Sequence, residues 1–182
     1  MPSVFTHFAV GAGLALPGME VPALRGVLPR WAIPVTAGLF AAAPDLDTWA
    51  MVLFEVPHGS VFSHRGVFHS PFVLALVAWA VAAIVARGCA VVPLTVLWAG
   101  AAITHPLLDM LTDGGSGAML LFPFSTERLF FAWRPIRVSP LSITRFFGRA
   151  REILASELPF CAAAVLVGVV VKAAVRRACV EK

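Results

Sequence analysis

Two stretches of this chain constrain its fold more than anything else. Pro71 to Ala86 is sixteen residues without an ionisable group, and Gly88 to Thr104 is seventeen more without charge. Leu158 to Val171 is a third uncharged run, ended by Lys172. Runs of this length approach the roughly 17 to 25 residues of a membrane-crossing helix. Only 13% of the 182 residues are charged and the mean hydropathy is +0.88. A soluble domain carries about 25% charge, so the sequence predicts an all-α, polytopic membrane bundle.

About five helices are expected. Phe5 to Leu16 and Trp31 to Ala43 are apolar but short, so they span at a slant, re-enter, or pack inside the others. Pro44 fits a boundary, because the residue before proline avoids helical geometry. Ser70-Pro71 is a helix start, with serine as N-cap and proline at the first helical position, and Arg87-Gly88 closes that helix. The next helix runs from about Pro93 to Leu111 and stops at Thr112-Asp113-Gly114-Gly115. Residues 118–157 then form a long interfacial connection. In it Arg128 to Val138 reads as extended, and the stretch around Arg145 to Leu154 as an amphipathic helix on the membrane surface. The whole of 1–182 is expected to be one membrane-embedded domain.

The N-terminal segment has neither a basic start nor a small-residue cleavage pattern, and is expected to be mature structure. Cys89, Cys161 and Cys179 are scattered and include no CxxC pair, which argues against a disulfide framework or a thiolate zinc site. The net charge of +4 suits arginines facing anionic lipid, and no nucleic-acid partner is expected.

Threading the helices up and down collects the rare polar groups. His7 begins the first helix, Asp45 and Asp47 follow the second, His64 and His69 precede the third, and His105 and Asp109 lie late in the fourth. All seven fall at one end of the bundle. Ionisable groups at a membrane edge are costly and face a cavity or one another, and converging histidine and aspartate suggest a metal site.

His105 and Asp109, four apart, share a helix face. They are placed to hold one ion together or to adjoin two, with Pro106 expected to kink the helix beside them. Asp45 and Asp47 sit in a turn, one binding metal and the other orienting a histidine. Gly66 bends the His64 to His69 segment, so that Arg65 can reach a phosphate while a histidine binds metal. Imidazole and carboxylate without thiolate suit zinc, and also manganese or iron. His7 by itself reads equally as a cap. Asp113, Glu55, Glu127 and Glu152 read as turn or surface groups, and His58 as a loop residue.

In order, His7, Pro44-Asp45-Leu46-Asp47, His64-Arg65-Gly66-Val67-Phe68-His69-Ser70, His105 to Thr112, Gly114-Gly115 and Leu121 to Ser125 resemble the bacterial inner-membrane-associated, LexA-regulated metal-dependent hydrolases. The matches cover about residues 7 to 125. That family is distantly similar to zinc-dependent phospholipase C and P1 nuclease. The resemblance implies Asp45, His69, His105 and Asp109 around one metal, and His7 with Asp109 at another. Further ligands of a three-metal centre have no counterpart after Asp109, so one or two ions are expected.

The expected activity is metal-dependent hydrolysis of a phosphoester or lipid-type substrate at the inner membrane, with membrane lipids as surroundings. Asp45 or Asp47 is the candidate general base and Arg65 the candidate for neutralising developing charge. A metal or proton transporter is the rival reading, and a structural polar cluster a third. The positively charged residues divide evenly between the two ends, Arg65 and Arg128 to Arg151 against Arg25, Arg30, Arg87, Lys172, Arg176, Arg177 and Lys182. The positive-inside rule therefore decides nothing, and only the short loops opposite the site favour an extracytoplasmic centre.

Overall fold

The computed structural model describes residues 1–140 and 143–180, and the side chains of 1–140 and 144–178. Cys179, as a side chain, and Lys182 lie outside them. The chain is all-α: α1 (Val4–Leu14), α2 (Ala32–Ala42), α3 (Asp47–Leu53), α4 (Pro71–Val85), α5 (Val91–Met110) and α6 (Ile143–Val180). Five of these are the expected long elements, and α3 is a single short helix of seven residues. Strand-type pairing among the described residues is limited to isolated bridges, Thr112 with Ile136 and Ala118 with Leu129. Both touch the segment expected to be extended, at Ile136 and Leu129.

Two helices, Gly88–Met110 and Thr144–Ala178, are long and apolar enough to cross a membrane. α1 and α2, with 11 residues each, reach only about 16 Å at 1.5 Å per residue, roughly half the hydrocarbon thickness. They pack inside the bundle. Gly11 of α1 meets Ala41 and the Ala37 carbonyl of α2, while Gly13 meets the backbone of Ala164 and Val165 on α6. Lipid gives helices no hydrophobic reason to associate, so close approach of small residues supplies the van der Waals contact instead. Towards the other end the core is alanine-rich, with Leu94 and Trp98 buried. Trp98 stacks on Phe40 with centroids 4.5 Å apart and donates its indole N–H to Thr36 Oγ1 at 3.0 Å.

The helix signals hold with two differences. Ser70 has extended backbone before Pro71, but its hydroxyl donates to the Phe122 carbonyl at 2.6 Å instead of capping α4. The expected surface helix and the last apolar run are one helix, α6, which passes through Pro159. The irregular connection therefore ends before Ile143 and does not extend to residue 157. Ile153 and Glu157, four apart, are both buried, so one face of α6 stays docked through the expected break and the helical register continues.

Candidate metal centre

Each element delivers its polar group for a local reason. The first turn of α1 carries His7. The turn Ala43–Leu46, with Pro44 in its first positions, presents Asp45, and Asp47 opens α3. Arg65 adopts a positive φ of 64°, which reverses the chain so that the short turn Val67–His69 can bring His69 inward. A side chain at Gly66 would collide with the Val61 carbonyl, so only glycine fits. His105 and Asp109 share the buried face of α5, and the helix continues through Pro106. His7, Asp45, Asp47, His69, His105 and Asp109 are buried, and His64 is half-buried.

The ligand-type atoms meet at metal-binding separations. His69 Nε2 lies 3.1 Å from His105 Nε2 and 3.4 Å from Asp109 Oδ2, and His105 Nε2 lies 3.7 Å from that oxygen. Asp45 Oδ1 is 3.3 Å from His105 Nε2. A tetrahedral zinc with bonds of about 2.0 to 2.1 Å separates its ligands by about 3.3 to 3.4 Å. A second group joins His7, Asp45 and His105, with His7 stacked on His105 at 3.6 Å. His7 Nε2 is also 3.8 Å from Asp109 Oδ1 and 4.0 Å from Asp45 Oδ2. His105 has one free lone pair, so its Nε2 serves one ion only. A second ion would then be held by His7 with the carboxylates of Asp45 and Asp109.

Fit can be tested on atoms that have no other use. Both ring nitrogens of His7, both carboxylate oxygens of Asp45 and Oδ2 of Asp109 are buried without a hydrogen-bond partner. Orphaned buried acceptors cost about 1 to 3 kcal/mol each, and more when charged. A divalent cation satisfies them together, so the residues present fit one.

A surrounding layer fixes the rings. The Ala41 carbonyl accepts from His105 Nδ1 at 2.7 Å, which leaves Nε2 as the ligand atom. Asp47 stands behind two histidines, with Oδ1 2.7 Å from His64 Nδ1 and Oδ2 3.3 Å from His69 Nδ1. Of the two aspartates in the turn, Asp45 thus faces the ligand atoms and Asp47 the backs of the rings. Burial pushes the Asp47 carboxyl up, but His64 and His69 outweigh it and hold it well below the usual range. Burial pushes the His69 imidazolium down, yet without an ion Asp109 and Asp47 prevail and raise its pKa to about 9. Burial also opposes ionisation of Asp45, and His105 lowers it on balance.

Arg65 is 1% exposed. Its guanidinium donates to Asp109 Oδ1 at 3.1 Å, Thr112 Oγ1 at 3.0 Å and the Gly114 carbonyl at 3.1 Å. These contacts hold Asp109, so the arginine expected at a phosphate is committed to a ligand carboxylate. Gly115, at φ +98°, leaves room for that guanidinium.

Glu157 was not singled out by the sequence. It is 1% exposed; its Oε1 accepts from the Ser3 N–H at 2.5 Å, and its Oε2 from the hydroxyls of Ser3 at 2.6 Å and Thr6 at 2.7 Å. This carboxylate caps α1 at Ser3 and also holds Thr6, the residue before His7. A Ser-x-x-Thr start facing a lone glutamate ahead of an apolar run was the available signal. Arg128 ties the site loop through the His64 and Ser60 carbonyls and the hydroxyls of Ser63 and Ser116. Asp113 pairs with Arg137 at 2.9 Å and accepts from the Val138 N–H at 2.8 Å. Glu55, His58, Glu127 and Glu152 are exposed. Cys89 and Cys161 are free thiols.

The chain matches the family described as YdjM inner membrane protein over residues 1–175. It belongs to that family. Inner membrane protein YbcI of Escherichia coli strain K12 is 35% identical over 167 residues, 87% of this chain and 89% of that relative. No solved structure matches. With two helices able to cross the bilayer, this family member is an inner-membrane protein whose buried His and Asp groups can hold a metal ion. Neither name states a reaction.

Proposed function

We propose that this family member is a metal-dependent hydrolase that cleaves a phosphoester at one face of the inner membrane. One observation carries the reading: His69, His105, Asp45 and Asp109 converge, and among the described residues neither oxygen of Asp45 nor Oδ2 of Asp109 has a hydrogen-bond partner. His69, His105, Asp109 and Asp45 would hold the first ion, and His7 with the carboxylates of Asp45 and Asp109 a second. Zinc suits this donor set best, with manganese or iron as alternatives. The bound ion supplies charge stabilisation on the substrate oxygen and a lowered pKa for water.

The chain's own groups do the rest. Asp47 orients His69 and His64. His64 opens to a cleft bordered by Thr48, Glu55, His58 and Ser116. From there it takes a proton from the attacking water as the oxygen bonds to phosphorus and the ester oxygen leaves. Arg65 holds the Asp109 carboxylate in position. The motifs that resemble metal-dependent hydrolases would put it in the reaction class of zinc-dependent phospholipase C and P1 nuclease.

Ion transport would need a path beyond the centre. The layer next to it is packed with Ala37, Ala41, Ala101 and Trp98, which favours an enzyme. The test is elemental analysis of purified protein beside the Asp109→Ala/His105→Ala variant, both checked for folding, then turnover of p-nitrophenyl phosphate and bis(p-nitrophenyl) phosphate. One or two equivalents of metal, lost in the variant, with metal-dependent turnover are expected. A folded wild type that takes up no supplied transition metal would overturn the reading.

A further inference from the structure

Cavities border the centre on different sides, and they differ in what they reach. The cleft at His64 carries polar groups. A second, of about 290 Å³, lies on the helix flanks between Phe40, Leu74 and Val77 and reaches Asp47, whose Oδ1 is bonded to His64 and whose Oδ2 lies 3.3 Å from His69 Nδ1. The third, about 420 Å³, runs between the start of α1, α3 and the start of α6, with Phe5, Trp49, Val52 and Phe146 along its walls and Asp45 at its floor.

Of these three, the last combines apolar walls with a carboxylate, 7% exposed, whose two oxygens have no partner among the described residues. Trp49 and Val52 on its rim are 76% and 78% exposed. The rim is therefore open, and its exposed tryptophan is of the kind enriched at membrane interfaces. Next to Phe146 in the chain, the exposed Arg145 supplies positive charge, while Arg149 pairs with Glu152 at 3.6 Å. An anionic headgroup is favoured there and a hydrocarbon chain is favoured along the walls.

We infer that the groove between α1, α3 and α6 admits the hydrocarbon chain of a membrane amphiphile whose phosphate reaches the Asp45 side of the centre. This rests on the hydrolase reading given above and narrows its substrate to a chain-bearing phosphoester. α3 is the divider: Thr48 and Val52 border both this groove and the cleft at His64. Chain and water thus reach the centre from opposite sides of one short helix, and Trp49 and Val52 determine chain specificity.

The experiment uses the full chain in nanodiscs of neutral lipid with zinc supplied. The probes are 12-bromododecylphosphonate, which is not hydrolysed, and 12-bromododecanol, which carries the same chain without the anion. Bromine quenches nearby tryptophan, and Trp49→Phe identifies the share of emission due to Trp49. Phosphonate is expected to quench Trp49 at lower membrane concentration than the alcohol. Ala42→Phe, which fills the groove, should weaken that excess quenching about tenfold or more, the value of displacing two or more methylenes. Val52→Glu, at an exposed position that leaves folding intact, should weaken it likewise by repelling the phosphonate. Metal content should stay unchanged in both.

Equal quenching by the two probes, or excess quenching that survives both substitutions, overturns the groove. Turnover of soluble phosphoesters without excess quenching would sink the groove and leave the hydrolase standing. Excess quenching without turnover of any phosphoester would do the reverse.

Discussion

Glu157 and Asp45 are both buried carboxylates in a protein that has few, and they live differently. Every Glu157 oxygen accepts a hydrogen bond from the start of α1. Neither Asp45 oxygen accepts any. At the other end of the bundle, Glu20 resembles Glu157, paired with Arg30 at 2.5 Å. A carboxylate that the fold has fully satisfied holds the fold; one left bare amid histidines is held ready for something else. Burial alone does not separate a structural acid from a functional one, whereas the account of donors and acceptors does.

The comparison can be broken at several points. The largest effect is expected from His105→Ala with Asp109→Ala. Metal affinity should fall by more than about 100-fold, beyond the loss of an outer partner, measured by competition with a chelating dye. A smaller change would mean that other groups hold the ion. Asp47→Ala, which frees the backs of His64 and His69, should cost about 10- to 100-fold in the same assay. No change would remove Asp47 from the orienting layer.

Glu157→Ala should act on folding instead. It leaves the Ser3 N–H without its acceptor and should lower stability by about 1 to 3 kcal/mol, read from chemical unfolding in detergent. Metal affinity of the folded fraction should change far less than in Asp47→Ala. If Glu157→Ala abolished metal binding while Asp45→Asn unfolded the protein, the division drawn between the two acids would be reversed.

The smallest effect is in pH dependence. With its pKa raised to about 9, His69 is protonated at neutral pH when no ion is bound, and an ion must displace that proton. Metal affinity should therefore rise with pH by about tenfold per unit up to about 9 and then level off. Calorimetry in buffers of different ionisation enthalpy should show about one proton released at pH 7.5. In metal-free protein the sign is opposite: stability from the raised His69 pKa is fully present below about 6.5 and lost as pH rises through about 9. Proton release near zero would show that His69 is neutral before the ion arrives.

The site was more legible in the sequence than the helix ends were. In a chain so poor in charge, His7, Asp45, His69, His105 and Asp109 stand out, and alternation of helix direction alone gathers them at one end. The single helix spanning Ile143–Val180 was not legible, because Pro159 and the change from charged to apolar residues both imitate a boundary. What keeps α6 continuous is the docking of Ile153 and Glu157, a contact between distant parts of the chain.

The sequence by itself determined that this is an all-α membrane protein with a polar cluster at one end, since hydrocarbon tolerates backbone only when its polar groups are satisfied within the helix. Which aspartate faces the ligands, that Arg65 is committed to Asp109, and that Glu157 caps α1 were decided by tertiary structure alone. Each depends on distances of about 3 Å between residues far apart in sequence, and periodicity places residues on faces without fixing which faces meet.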